Sequence, residues 1–216
     1  MKRVFGTVEA IFDILYLAAA FSLGIVLLVG GGSGCARLTA GAMAIVLAAG
    51  DAFHLIPRIV VINTGREEKL RRALGRGKQI TSITMSVFYL LLWHIGVMVF
   101  EPDKITYWTA AVYCLAAVRI IICLLPQNKW TERYPPVNWG IFRNIPFFLM
   151  GAAAAGLFFI NRDIYSALAP TWLAVLLSFL FYIPVVLWAH KNPKTGMLML
   201  PKSCAYLWLL FICTSL

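Results

Sequence analysis

Asp51, His54 and Arg58 fall at offsets of three and seven in the run Gly50-Asp51-Ala52-Phe53-His54-Leu55-Ile56-Pro57-Arg58. On an α-helix those offsets place all three side chains on one face. A carboxylate, an imidazole and a guanidinium so arranged could take a proton from water and hold an anionic head group. The run lies in an apolar stretch, where an ionisable group costs on the order of 2.5–3.5 kcal/mol at the centre of a span and so points to a site. Asp51 and His54 are the candidate catalytic residues. Arg58, Ser86, Arg143, Asn144 and Lys202 are the candidate substrate-binding residues. A structural Asp51–Arg58 or Asp51–His54 pair is the competing reading of the first group. For Arg119, Arg143, His190 and Lys202, all near the ends of apolar stretches, the competing reading is snorkelling to an interface. Thr81, Ser82, Thr84 and Ser86 could equally bond their own helix backbone, and His94 reads as a satisfied interhelical donor. A metal site built on Asp51, His54 and another histidine lacks the H-x3-H or HExxH spacing. A triad of Ser82 or Ser86 with His54 and Asp51 lacks Gly-x-Ser-x-Gly. No metal or cofactor is expected.

The elements that must position these groups are set by hydropathy. The chain has 216 residues, 61% of them hydrophobic and 13% charged, about half the charge of a soluble domain. Seven apolar stretches cover residues 8–29, 38–62, 80–100, 105–125, 140–160, 166–189 and 197–216, each close to the roughly 20 residues that a span requires. Backbone polar groups in lipid must be satisfied within the segment, so the stretches are predicted to be helices. The expected fold is all-α: a polytopic membrane protein, one transmembrane domain over residues 1–216, built as a seven-helix bundle. Glu9 and Asp13 interrupt the first stretch, which reads as a retained span rather than a signal peptide.

The gaps between stretches alternate between rich and poor in Lys and Arg. Sixteen of the 19 lie at the N-terminus (Lys2, Arg3), in or beside the second, fourth and sixth gaps, or just inside the last stretch (Lys202). Arg37, Lys104 and Arg162 occupy the others. Basic loops stay cytoplasmic, which predicts the N-terminus inside, the C-terminus outside and residence in a cell membrane of bacterial inner-membrane or endoplasmic-reticulum type. The net charge of +10 then faces anionic lipid head groups, and no basic-aromatic module for nucleic acid is present. In the second gap, Thr64 and Glu67 have capping-box spacing and Gly75 is a plausible stop, so residues 65–74 read as a short basic interfacial helix, or else as a solvated loop. Pro201 suits the first turn of the last helix. Small residues in the second and fifth stretches (Gly41 to Gly50, Gly151 to Gly156) favour close helix approach. Five cysteines form no framework, although Cys35 and Cys213 map to one side and could pair. With the spans oriented, Glu9, Asp13, Asp51, His54, Ser86, Arg119, Arg143, Asn144, His190 and Lys202 all fall in the inner half. That predicts a polar cavity open to the cytoplasm or inner leaflet, with membrane lipids and a small-molecule ligand as partners. Oligomeric state stays open.

The stretch Ala48-Ala49-Gly50-Asp51-Ala52-Phe53-His54-Leu55, then Leu74-Gly75, then Met85-Ser86-Val87-Phe88-Tyr89, resembles the YhhN-type lysoplasmalogenase family of small membrane hydrolases. The resemblance covers about 45 residues and carries over Asp51, in a Gly-Asp motif of an early span. It implies hydrolysis of a lysolipid. The family's second aspartate, in a Ser-Asp motif of a later span, has no counterpart here, so His54 or Glu9 would stand in for it. Two other readings remain. Seven stretches with a 3+1+3 layout, prolines in several of them and Pro126-Gln127 resemble SWEET and PQ-loop small-solute carriers, whose outside N-terminus opposes the basic-gap count. A non-catalytic receptor or assembly protein is the third.

Overall fold

The computed structural model describes residues 2–30, 34–103 and 105–216. Lys104 lies outside them, and so do the side chains of Lys2 and Arg3. All regular structure among the described residues is helical: α1 Lys2–Val29, α2 Cys35–Thr64, α3 Glu67–Phe100, α4 Thr106–Leu124, α5 Val137–Ile160, α6 Thr171–Trp188 and α7 Met199–Ile212, with short 3-10 segments between and after the later helices. All seven belong to segments long and apolar enough to cross a membrane. Helices pack on their chain neighbours, and α7 closes the ring on α1. α3 also reaches α5, which puts it nearest the centre. The apolar stripe of α3 (Met85, Phe88, Tyr89, Leu92, Trp93, Ile95) is buried accordingly. Large apolar side chains such as Ile11, Leu15, Phe53, Ile121, Leu180 and Phe211 point outward.

Two helix boundaries differ from the sequence expectation. Residues 65–74 do not form a separate interfacial helix. Gly65, in the left-handed region at φ 69, caps α2, and its N–H bonds Val61 O. Thr64 thus ends α2, bonding Val60 O, instead of capping a new helix. After Arg66, α3 runs unbroken from Glu67 to Phe100. Gly75 does not stop it, because its missing side chain serves packing. A Cβ there would stand 2.7 Å from the carbonyl carbon of Trp130 and 2.9 Å from the Cα of Thr131. Pro201 lies in the first turn of α7, as expected. All five cysteines, Cys35 and Cys213 included, are free.

α2 and α3 form the tightest seam. A Cβ on Gly77 would lie 2.8 Å from both the Phe53 carbonyl carbon and the His54 Cα, and closer still to the Phe53 carbonyl oxygen. A Cβ on Gly50 would lie 2.7 Å from that of Thr84. Pro57 within α2 has no N–H to give the Phe53 carbonyl four residues earlier. That freed oxygen instead faces the backbone of Gly77, where only a glycine admits it. Thr81 bonds Gly50 O at 2.8 Å across the same seam. At this end of the bundle the segment between α4 and α5 folds over α3 as a strap, fastened by buried Asn128, whose amide donates to Ile122 O at 2.6 Å and Leu125 O at 3.0 Å.

Candidate functional site

The α2–α3 turn, the strap and the α6–α7 link share one end of the bundle, the basic end. Polar side chains gather between that end and mid-height, in two groups. The first lies where α1 meets α2. Glu9, Asp13 and Tyr16 follow at helical spacing on α1. The buried Tyr16 hydroxyl donates to Asp51 Oδ2 at 2.7 Å. Two turns nearer the basic end, Arg58 ion-pairs with Glu9, both of them part-exposed. Between the pairs Asp13 is buried, and its Oδ2 has no partner. Asp13 and Asp51 feel each other's field, and Asp51 feels that of Lys202 from α7.

The second group fills the space among α3, α4, α5, α6 and α7. Lys202 is 8% exposed, and its ammonium lies 4.5 Å from the ring centre of Tyr182 and 5.0 Å from that of Tyr206. These are cation–π distances. Tyr182 donates to Asn144 Oδ1 at 3.2 Å, while the Asn144 amide bonds Gly140 O in its own helix at 2.8 Å. Arg119 is 2% exposed, with its guanidinium 3.5 Å from the ring centre of Phe147. Nearer the strap, Arg143 donates to Asn128 Oδ1 at 3.1 Å and lies over Trp130.

Of the residues singled out from sequence, Asp51, Lys202 and Asn144 come together, linked through Tyr182 and electrostatics. His54 does not join Asp51 in a hydrogen bond. Its Cα abuts Gly77, and its Nδ1 is buried without a partner. Arg58 turns to Glu9 and Arg143 to the strap. Ser86 is fully buried and bonds Ser82 O at 3.5 Å, as Ser82 bonds Lys78 O at 2.8 Å. Their hydroxyls serve their own helix, so no serine triad with His54 and Asp51 is assembled among the described residues. His94 bonds Tyr113 at 2.7 Å, the satisfied interhelical role. No cluster of metal ligands occurs among the described residues. A groove of about 300 Å³ on the outer side of α2, lined by Ala52, Phe53, Ile56 and Pro57, contains none of the candidate residues.

Arg119 and Asp13 are the groups that sequence reasoning undervalued. Arg119 does not snorkel. It continues the buried stripe Val112, Ala116, Cys123 of α4. Asp13 is in phase with buried Ala10, Tyr16 and Ala20 of α1. In each case the signal was a charged residue sharing the helical phase of small or buried neighbours. No protein-family model, curated protein or solved structure matches the chain.

Proposed function

We propose that the chain spans a cell membrane seven times, with the N-terminus and basic end cytoplasmic and the C-terminus outside, and that it hydrolyses a lysolipid taken from the inner leaflet. The orientation is supported by the side that holds sixteen of the 19 Lys and Arg, because basic loops are retained in the cytoplasm. Insertion is supported by the apolar side chains that cover the outward faces. The observation that carries the reaction is the placement of Asp51 near mid-height, fixed by Tyr16 at 2.7 Å and within the fields of Lys202 and Asp13. A carboxylate kept in an apolar span at such cost is retained for chemistry.

The reading follows the resemblance to lysoplasmalogenases and replaces the missing second aspartate with Asp13 rather than His54 or Glu9. Two carboxyl groups in unlike surroundings can divide general base and general acid work. Asp51 takes a proton from water, the water oxygen bonds to an acyl carbon of the substrate, and as that carbon's bond to the glycerol oxygen breaks, Asp13 in its acid form gives a proton to the oxygen that leaves. Lys202 and Asn144 orient the polar head. The single ring of helices favours this reading over a carrier assembled from two three-helix units.

The test is turnover of a lysolipid panel by purified protein in non-ionic detergent. Asp51→Asn should lower the rate by about 10²–10⁴-fold, the usual contribution of a general base, with no change in thermal stability beyond a few degrees. Undiminished turnover by the variant would sink the proposal. Solute flux in proteoliposomes with no hydrolysis would put a carrier in its place.

A further inference from the structure

Arg119 has no use in the hydrolytic reading, and its surroundings ask for a ligand. It is 2% exposed. Nε and Nη1 have no hydrogen-bond partner, and among the described residues no carboxylate forms an ion pair with it. The stacking on Phe147 at 3.5 Å takes up a face of the guanidinium plane. The N–H groups point along the plane edges, so stacking leaves them unmade. Buried donors without acceptors are destabilising, and a buried unpaired cation more so.

A second cation adds to the imbalance. Lys202 lies within the field of Arg119 and rests on Tyr182 and Tyr206. Among the described residues the one carboxylate felt by Lys202 is Asp51, which already accepts from Tyr16. Arg119 feels Tyr182, Tyr206, Tyr89 and the Cys123 thiol one turn further along α4, which lies within hydrogen-bond reach of it, but no carboxylate. Two buried cations and a set of phenols thus converge with a deficit of negative charge. Arg143 stands nearer the strap and leads toward them from the basic end. A planar fork beside an ammonium, with the unpartnered Tyr206 hydroxyl nearby, matches a group offering several anionic oxygens in a tetrahedron better than a flat carboxylate that one fork would satisfy.

We propose that Arg119 and Lys202 form a binding site for a phosphate group, reached from the basic end, and that the phosphate is borne by a lysophospholipid head group or arrives as the free ion. The lipid source rests on the hydrolytic reading, whereas the anion site itself does not require turnover.

The experiment measures thermal unfolding of the full chain in a non-ionic detergent. Titrants are inorganic phosphate, a lysophospholipid and a monoacylglycerol of the same chain length, against wild type, Arg119→Leu and Arg119→Lys. Wild type should be stabilised by the lysophospholipid and not by the monoacylglycerol. A shift with inorganic phosphate as well identifies a site for the free ion, and a shift with the lipid alone identifies the head group. Arg119→Leu should fold with a midpoint equal to or above that of ligand-free wild type, since an apolar residue of similar bulk often replaces a buried charge without loss. It should weaken the phosphate-dependent response at least tenfold, and Arg119→Lys should retain part of it. Equal shifts with monoacylglycerol, no shift with any titrant, or an undiminished response in Arg119→Leu overturns the proposal. So does an Arg119→Leu midpoint well below wild type, which would make the guanidinium a structural partner of Phe147. Binding without hydrolysis keeps this site and removes the hydrolase.

Discussion

Gly77→Ala should destabilise the protein although it replaces glycine with the best helix former. The added Cβ would lie 2.8 Å from the His54 Cα and from the Phe53 carbonyl carbon. Carbon atoms pack best at about 3.5–4.0 Å, so the shortfall is roughly 0.7–1.2 Å. The atoms met are backbone and cannot rotate away, so α2 and α3 must separate. Overpacking of that kind costs about 1–3 kcal/mol, and the upper end applies where no side chain can yield. Helix propensity returns about 1 kcal/mol, which leaves a net loss of about 1–2 kcal/mol, or a midpoint lowered by roughly 2–8 °C for a chain of this length. The control is Gly156→Ala in α5, where a Cβ would meet nothing within 4 Å and the propensity gain stands alone. The assay is thermal or denaturant unfolding of both variants in one detergent. Equal stability of Gly77→Ala and Gly156→Ala would refute the argument that the carbonyl freed by Pro57 is seated on Gly77.

Asn128→Ala should loosen the strap: the side chain is fully buried and makes two donor bonds and accepts one from Arg143. At about 1 kcal/mol each, the loss is about 2–3 kcal/mol, read as faster trypsin cleavage at Lys129 or Arg133, with unchanged cleavage telling against the strap's fastening. His94→Phe removes one exposed bond to Tyr113 and should change stability by less than about 1 kcal/mol, with the proposed lysolipid turnover unaltered. A tenfold fall in turnover would bring His94 into the chemistry.

The seven apolar helices were legible because a stretch long and apolar enough to cross a membrane is written in consecutive residues, and hydropathy needs no knowledge of neighbours. The facing of each polar side chain was not, because the partner helix sets it. Arg58 and Arg119 both lie near the basic end of a helix. Arg58 turns to Glu9 at a part-exposed edge, while Arg119 is wholly enclosed. Only the phase of Arg119 with Ala116 and Cys123 distinguished them, and phase says which residues share a face without saying what that face meets. Gly75 carries the same lesson. A glycine before a loop is an ordinary stop signal, and the contact with Trp130 that makes it a packing residue comes from a segment more than fifty positions away.

The two polar pairs between α1 and α2 have a consequence for assembly. Tyr16–Asp51 and Glu9–Arg58 are each separated from the other by seven residues on both helices, so they repeat with the helix and stay in step. Apolar side chains alone would tolerate sliding, since every register of two apolar helices buries similar surface. Displacing α1 by one turn, about 5.4 Å, breaks both pairs together; a shift toward the basic end would offer Asp13 to Arg58 but leave Asp51 without Tyr16. The stripe therefore works as a two-point vernier that sets the depth of the first helix against the second, and with it the height at which Asp51 meets α7.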